Sequence, residues 1–223
     1  MAENYGLWLE RLLKEMEKSP ADGPKPRLLL QICCAPCSSY VFEYLARYFE
    51  ITAFFYNPNI APEKEFSFRL TELRRFLEET GRMDTAIECP TYEPKEFFEA
   101  VRGMEDLPEG GERCRVCYEL RLRRTAEAAR AGNFDYFTTT LSISPYKNAA
   151  WLNEIGIRLG EEYGVPYLRS DFKKKNGYKR SIELSRQYDL YRQDYCGCIY
   201  SKLESEKKRQ DSTNISFGFT YEK

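Results

Sequence analysis

The chain has 223 residues, with 34 Lys+Arg against 35 Asp+Glu, no histidine and eight cysteines, and its length and 42% hydrophobic content suit one domain with a full core and short additions at the ends. A net charge of −1 gives no global basic field, so a nucleic-acid partner would be held by local patches. The absence of histidine excludes Ser-His-Asp triads, Cys-His nucleophile pairs and His-ligated metals, which leaves sulfur and oxygen as metal donors and Asp, Glu, Lys, Tyr, Cys or water as proton carriers.

Residues 1–18 predict an amphipathic helix on the domain's flank, with Tyr5, Trp8, Leu9, Leu12, Leu13 and Met16 on one face. The stretch lacks the basic start, apolar centre and small-residue cleavage site of a signal peptide, and no run in the chain approaches the ~18 apolar residues of a membrane span. A cytosolic protein is expected. Residues 19–26, with three prolines and a glycine, read as a linker. Leu28, Leu29, Leu30 and Ile32 then predict a buried parallel strand, and Cys33, Cys34, Ala35, Pro36 and Cys37 the turn at its carboxyl end. Ser38 and Ser39 offer hydroxyls to the free N–H groups of the helix that follows, expected over 37–49.

A second strand is predicted over 51–56 and closes at Asn57-Pro58-Asn59. A helix over 62–80 carries Phe66, Leu70, Leu73 and Leu77 on one face. A short strand over 85–88 and a short helix over 94–102 lead to a Pro/Gly turn at 107–112. Cys114 and Cys117 then open a helix that runs to about 131. Residues 134–140, FDYFTTT, predict a strand, 141–147 a loop and 148–163 a helix with Leu152, Ile155 and Leu159 inward. A last short strand at 166–168, a helix near 178–188, Cys196-Gly197-Cys198 and a polar tail complete the chain. Strand alternates with helix throughout, which predicts an α/β fold with a doubly wound, mainly parallel sheet. The expected divisions are an N-terminal helix and linker (1–25), an α/β metal-binding catalytic domain (26–203) and a polar tail (204–223).

Seven of the eight cysteines fall in three groups: Cys33, Cys34 and Cys37; Cys114 and Cys117; Cys196 and Cys198. In a cytosolic chain such clusters point to metal rather than disulfides. Cys114 and Cys117 share a face at a helix start, where the N-terminal dipole favours thiolate. Seven thiols exceed the four of one tetrahedral zinc or one [4Fe–4S] cluster, so a second metal or redox thiol, or some structural cysteines, must account for the excess. Ligand chemistry favours iron–sulfur over zinc. Cys89, before Pro90, reads as an ordinary core thiol. The hydroxyl-dense strand end 138–147 reads as a loop over a ligand, with Tyr146 and Lys147 as donors. Three basic stretches, 113–124, 173–180 and 202–209, with the aromatic YDLYRQDY at 188–195, suit local contacts to unstacked RNA bases.

CCAPC after the first strand, CxxCY, TTTLSISPYKN, DFKK and LYRQDYCGC followed by YS together resemble the cobalamin-independent epoxyqueuosine reductases of the QueH type, over about residues 26–202. The resemblance implies reductive deoxygenation of epoxyqueuosine at the tRNA wobble position, the last step of queuosine synthesis. It further implies a [4Fe–4S] cluster beside a second metal ion, iron, and a fold related to the nucleotide-binding α/β proteins of the PP-loop/HUP type. Matched to these motifs, Cys33, Cys34, Cys37, Cys114, Cys117, Cys196 and Cys198 are the expected metal ligands, with their division left open. Asp171 is a candidate oxygen ligand or acid, and Tyr146 and Lys147 are candidate donors to the epoxide or its diol. Lys173, Lys174, Arg180, Tyr191 and Arg192 are candidate tRNA contacts, and the electron donor would be a carrier such as a ferredoxin or flavodoxin. Two rivals stand beside this reading. An ATP-dependent, cluster-containing tRNA thiolation enzyme would need a glycine- and serine-rich phosphate loop where ICCAPCSS stands, and a zinc-bound RNA-binding module would need no redox chemistry.

Overall fold

Leu28, Leu29 and Leu30 are completely buried, as the apolar run requires, and they form the strand around which the rest is layered. The computed structural model describes residues 4–18 and 23–217, with side chains through residue 210. In chain order the elements are α1 (Tyr5–Lys18), β1 (Arg27–Gln31), α2 (Ala35–Leu45), β2 (Glu50–Phe54), α3 (Glu63–Glu79), β3 (Ile87–Glu88), α4 (Pro94–Ala100), α5 (Glu112–Ala131), β4 (Tyr136–Thr139), a 3-10 turn (Thr140–Ile143), α6 (Ala149–Tyr163), α7 (Gly177–Gln187) and α8 (Ile199–Phe217). Most of residues 1–18 therefore form the expected helix, residues 1–3 and the first half of the expected linker (19–22) lying outside the described residues.

The sheet has four strands in the order β3-β2-β1-β4, all parallel. Leu28 aligns with Ile51 on one side and Tyr136 on the other, and a single bridge between Phe137 and Tyr167 is all that forms of the expected last strand. Leu28 and Leu30 pack in one layer with Leu9, Leu13, Val41, Leu73 and Phe76. Leu29 faces the other, with Tyr118, Leu122, Phe137, Leu152 and Leu159. Side chains alternate across a strand, so one apolar run supplies both cores, and each fully buried leucine contributes about 1.5–3 kcal/mol. The α/β, doubly wound prediction thus holds.

The chain moves outward from β1 through β2 to β3 and then returns to place β4 on β1's other edge. That reversal opens a crevice at the carboxyl ends of β1 and β4, the position where open α/β sheets bind ligands. β1 leads there into the CCAPC turn, and β4 into the 3-10 turn and the SPYK loop.

Several local expectations change. α2 starts at Ala35, inside the cysteine motif, with Cys34 as its N-cap residue. Ser38 and Ser39 therefore lie within the helix and donate to the carbonyls of Ala35 and Pro36, both at 3.0 Å, rather than cap its N–H groups. α1 buries Leu9 and Leu13 in the same core as β1. α8 runs without a break across residue 203, where the catalytic domain was expected to end, and residues 218–223 of the expected tail lie outside the described residues. Cys89 is exposed rather than a core thiol. Among the described residues no helix is long and apolar enough to cross a membrane.

Candidate metal and tRNA site

A cavity of about 760 Å³ occupies the switch-point crevice, and Cys33, Cys34, Cys37 and Cys196 all line it. Its floor is the β1–α2 turn, one wall is the loop from Leu141 to Lys147, and the opposite wall is Arg192 to Cys196 with the exposed turns of α8. Cys196 of the CGC pair and the CCAPC turn therefore meet at one site.

The Sγ atoms of Cys33, Cys34 and Cys37 lie within 4.8 Å of one another, the only such metal-sized group among the described residues. The Cys33 and Cys34 sulfurs are 3.7 Å apart. Hydrogen bonds from the Cys34 and Cys37 thiols hold Cys33 well below the ordinary thiol range despite its burial, with Arg121 and Arg69 adding in the same direction. The same sharing of protons pushes Cys34 up to about 12 and raises Cys37. The turn is thus poised with one thiolate stabilised by two thiols.

Cys114, Cys117 and Cys198 stand behind Cys196, and each feels its charge. The N-terminus of α5 was expected to favour thiolate. Burial outweighs it: Cys117 is pushed up to about 11, and Cys114 is raised although the Gly110 N–H donates to its sulfur at 3.2 Å. Gly197 has φ 121°, in the glycine-favouring region, and an added Cβ would lie 3.0 Å from an Arg69 guanidinium nitrogen. Only glycine allows the turn that carries Cys196 and Cys198.

Lys147 is buried, and its Nζ donates to the Cys196 sulfur at 3.0 Å and to Glu109 Oε1 at 3.2 Å. Burial works against its ammonium, but the charges of Cys196, Tyr118 and Glu109 raise its pKa well above the ordinary value. The other Glu109 oxygen accepts from Ser201 Oγ at 2.6 Å, and Ser201 Oγ accepts from the Cys196 N–H at 2.9 Å. Glu109 and Ser201 so tie the 107–112 turn, the SPYK loop and the CGC turn into one network. Tyr146 lies on the rim, 76% exposed.

Three cations, Arg69, Arg121 and Lys147, are buried around the sulfurs. Glu65 pairs with Arg69 and Glu109 with Lys147, whereas Arg121 meets the neutral Asn57 amide and the Cys117 sulfur and, among the described residues, forms no ion pair with a carboxylate. Among the described residues Arg69 Nη2 and Arg121 Nε have no hydrogen-bond partner. Buried guanidinium without an anion is costly, so the donor set and its surplus positive charge fit a centre held by several thiolates.

The other candidates separate into two sets. Arg192 lines the cavity, donating to Ser185 Oγ at 3.1 Å. Asp171 does not line it: it pairs with Lys173 at 2.9 Å and lines a small crevice against α1 that Lys174 shares. The reason is topological, because the segment after Tyr167 turns towards α1 before α7 brings Tyr178 back to the cavity. Arg180 forms ion pairs with Glu43 and Glu183, and Tyr191 packs edge-on against Phe68, both outside the cavity lining. The hydroxyls of 138–142 serve mainly the fold, as Thr138 donates to the Leu168 carbonyl and Thr139 to Gln31. Two arginines of the basic stretch 113–124 are buried, Arg113 by carbonyls and Glu204, and Arg121 beside the sulfurs. Arg69, Glu109, Arg121 and Ser201 were not anticipated. Arg121 alone carried a legible signal, standing four residues after Cys117 on one helix face.

A family model described as epoxyqueuosine reductase QueH matches residues 28–204. A Streptococcus pyogenes serotype M1 protein named epoxyqueuosine reductase QueH is 44% identical over 202 residues, covering 89% of this chain and 78% of that protein. Proteins with the same name from Staphylococcus epidermidis and Thermotoga maritima are 41% and 35% identical, covering 90% and 82% of this chain and 85% and 94% of their own lengths.

Proposed function

The chain belongs to the epoxyqueuosine reductase QueH family, and from that premise we propose that its cysteine-lined cavity reduces epoxyqueuosine to queuosine in the anticodon loop of tRNA. The epoxide oxygen leaves as water, two electrons and two protons are consumed, and an alkene remains in the cyclopentane ring. The observation that carries this reading is the convergence of Cys33, Cys34, Cys37 and Cys196 on one cavity, with buried cations in its walls.

Cys33, Cys34, Cys37, Cys114, Cys117, Cys196 and Cys198 would hold a [4Fe–4S] cluster and a second iron. When bound, these supply electrons one at a time and a Lewis-acidic position for the departing oxygen. The chain's own groups bind, orient and protonate. Lys147, fixed by Glu109, presents an ammonium at the cavity wall beside Cys196. Tyr146, at the mouth, offers a phenol to the epoxide or its diol and a ring to an unstacked base. The wobble nucleotide must leave the anticodon stack to reach the cavity floor. Arg192 and Lys208 on the cavity wall suit its flanking phosphates. Asp171 acts only at a distance in this scheme, supporting the segment that leads to α7. The electrons would come from a low-potential carrier such as a ferredoxin or flavodoxin, in the cytoplasm.

The test is oxygen-free reconstitution of the full chain, followed by iron and sulfide analysis and assay with tRNA bearing epoxyqueuosine. Bound iron and sulfide with conversion to queuosine are expected. A colourless protein holding stoichiometric zinc, or an iron-loaded protein that leaves the epoxide intact with a strong reductant present, overturns the reading.

A further inference from the structure

The buried cations around the sulfurs are not alike. Arg69 has Glu65 at 2.7 Å and Lys147 has Glu109 at 3.2 Å. Arg121 is 1% exposed and, among the described residues, no carboxylate forms an ion pair with it. Its Nη2 donates to Asn57 Oδ1 at 2.7 Å. Asn57 is itself fixed: Oδ1 also accepts from Gln31 Nε2 at 3.2 Å, Nδ2 donates to the Ile32 carbonyl at 2.8 Å, and Gln31 in turn accepts from Thr139 at 2.7 Å. This neutral chain, anchored on β1 and the end of β4, aims a full positive charge at the cavity. Arg121 lines that cavity with Cys33, and it shares a face of α5 with Cys114 and Cys117. The charges of Cys117, Cys33 and Cys196 all act on it. Arg121 therefore stands between the two sulfur groups, touching the Cys117 sulfur, with no carboxylate among the described residues to offset its charge.

We infer that Arg121 is the fixed countercharge of the thiol-bound centre, and that Asn57, by holding it without neutralising it, makes the loaded site easier to reduce. The inference rests on the proposal that the cysteines hold a redox-active iron centre. Reduction transfers one electron from a reduced low-potential carrier to that centre, adding one negative charge and leaving the carrier oxidised by one electron. A fixed cation in a water-poor site stabilises the more negative form. Arg121 is a positioning and tuning residue, and its effect is read as a potential.

The test is an anaerobic reductive titration with a low-potential viologen, comparing the reconstituted full chain with R121Q, R121K and N57D. R121Q deletes the charge, whereas N57D keeps the guanidinium and gives it a carboxylate. At a fixed dye poise the reduced-to-oxidised ratio of the centre is expected to fall at least tenfold in both, about 59 mV for a one-electron couple, with R121K within a few-fold of the parent. Loaded R121Q and N57D that titrate like the parent overturn the inference. Should R121Q not load, N57D decides by the same criterion. Failure of R121Q, N57D and R121K alike to take up iron shows a structural role and also overturns it. A parent chain that takes up no iron defeats instead the proposed function on which the inference rests.

Discussion

Cys33, Cys34 and Cys37 leave one turn, and their sulfurs close to within 4.8 Å with no help from distant segments. Cys114, Cys117, Cys196 and Cys198 come from a helix start and a loop far along the chain, and their approach depends on Glu109, Lys147, Ser201 and Gly197. The first group is a local object, set by β1 running into α2. The second is a tertiary object, whose geometry is only as good as the polar bridges that hold it. The two should therefore respond alike to loss of a sulfur and differently to loss of a bridge.

Loss of a sulfur carries the largest expected effect. Cys34→Ala and Cys117→Ala each remove a buried thiol from one group, and reductase activity should fall by on the order of 100-fold or more in both, with less bound iron. Iron analysis and tRNA turnover check this, and full activity in either variant removes that group from the centre. Glu109→Gln comes next. It keeps the shape of the side chain but removes the charge that Lys147 faces and weakens the acceptor for Ser201. Activity should fall roughly 10–100-fold, with only partial loss of iron because Cys33, Cys34 and Cys37 do not depend on Glu109. Complete loss of iron would show that the two groups form one inseparable unit.

The same contrast explains what the sequence made legible. CCAPC lies within one turn, so its position at the end of a buried strand could be read from Leu28 to Ile32. The sheet was equally readable, because Leu28–Leu30 and residues 134–140 carry a strand pattern needing no tertiary information. Arg69 is hidden by the rule that charge belongs on the surface, which fails where a thiol-rich cavity demands positive charge, while Arg121 is legible only from its place four residues after Cys117. Glu109 sits in a Pro/Gly turn with no periodicity, and only the fold brings it to Lys147. The place of Asp171 was not legible from its position after a strand: that strand is a single bridge, and the chain beyond it turns towards α1.

Titration of the metal-free protein sharpens the comparison further. In the second group burial raises Cys114, and takes Cys117 to about 11 and Cys198 to about 12, against ~8.5 for an unfolded thiol. Groups raised on folding stabilise fully below the unfolded value, and that stability is lost as pH rises towards the folded value. In the first group Cys34, at about 12, and Cys37 act in the same sense, while the lowered Cys33 opposes them. The melting temperature of the metal-free chain should therefore fall between pH ~8.5 and ~11. The loaded chain, whose ligands are already thiolates, should lack this slope. A metal-free protein with a flat profile across that range would show that burial does not control the thiols.

The smallest effects concern the rim. Tyr146→Ala should weaken tRNA binding by about 1–3 kcal/mol if its ring stacks on a base, leaving iron content unchanged. Arg192 and Arg180 give a closer pair, since both are arginines near α7. Arg192 lines the cavity and spends one donor on a neutral serine, so its charge is available to a phosphate. Arg180 already faces Glu43 at 2.8 Å and Glu183 at 3.3 Å, outside the cavity lining, so a phosphate would have to compete with two carboxylates. Arg192→Ala should lower the salt dependence of tRNA affinity by about one phosphate contact, whereas Arg180→Ala should leave the slope unchanged. Equal slopes for the two variants would mean that the tRNA does not enter through this mouth, because only one of the two guanidinium groups stands there.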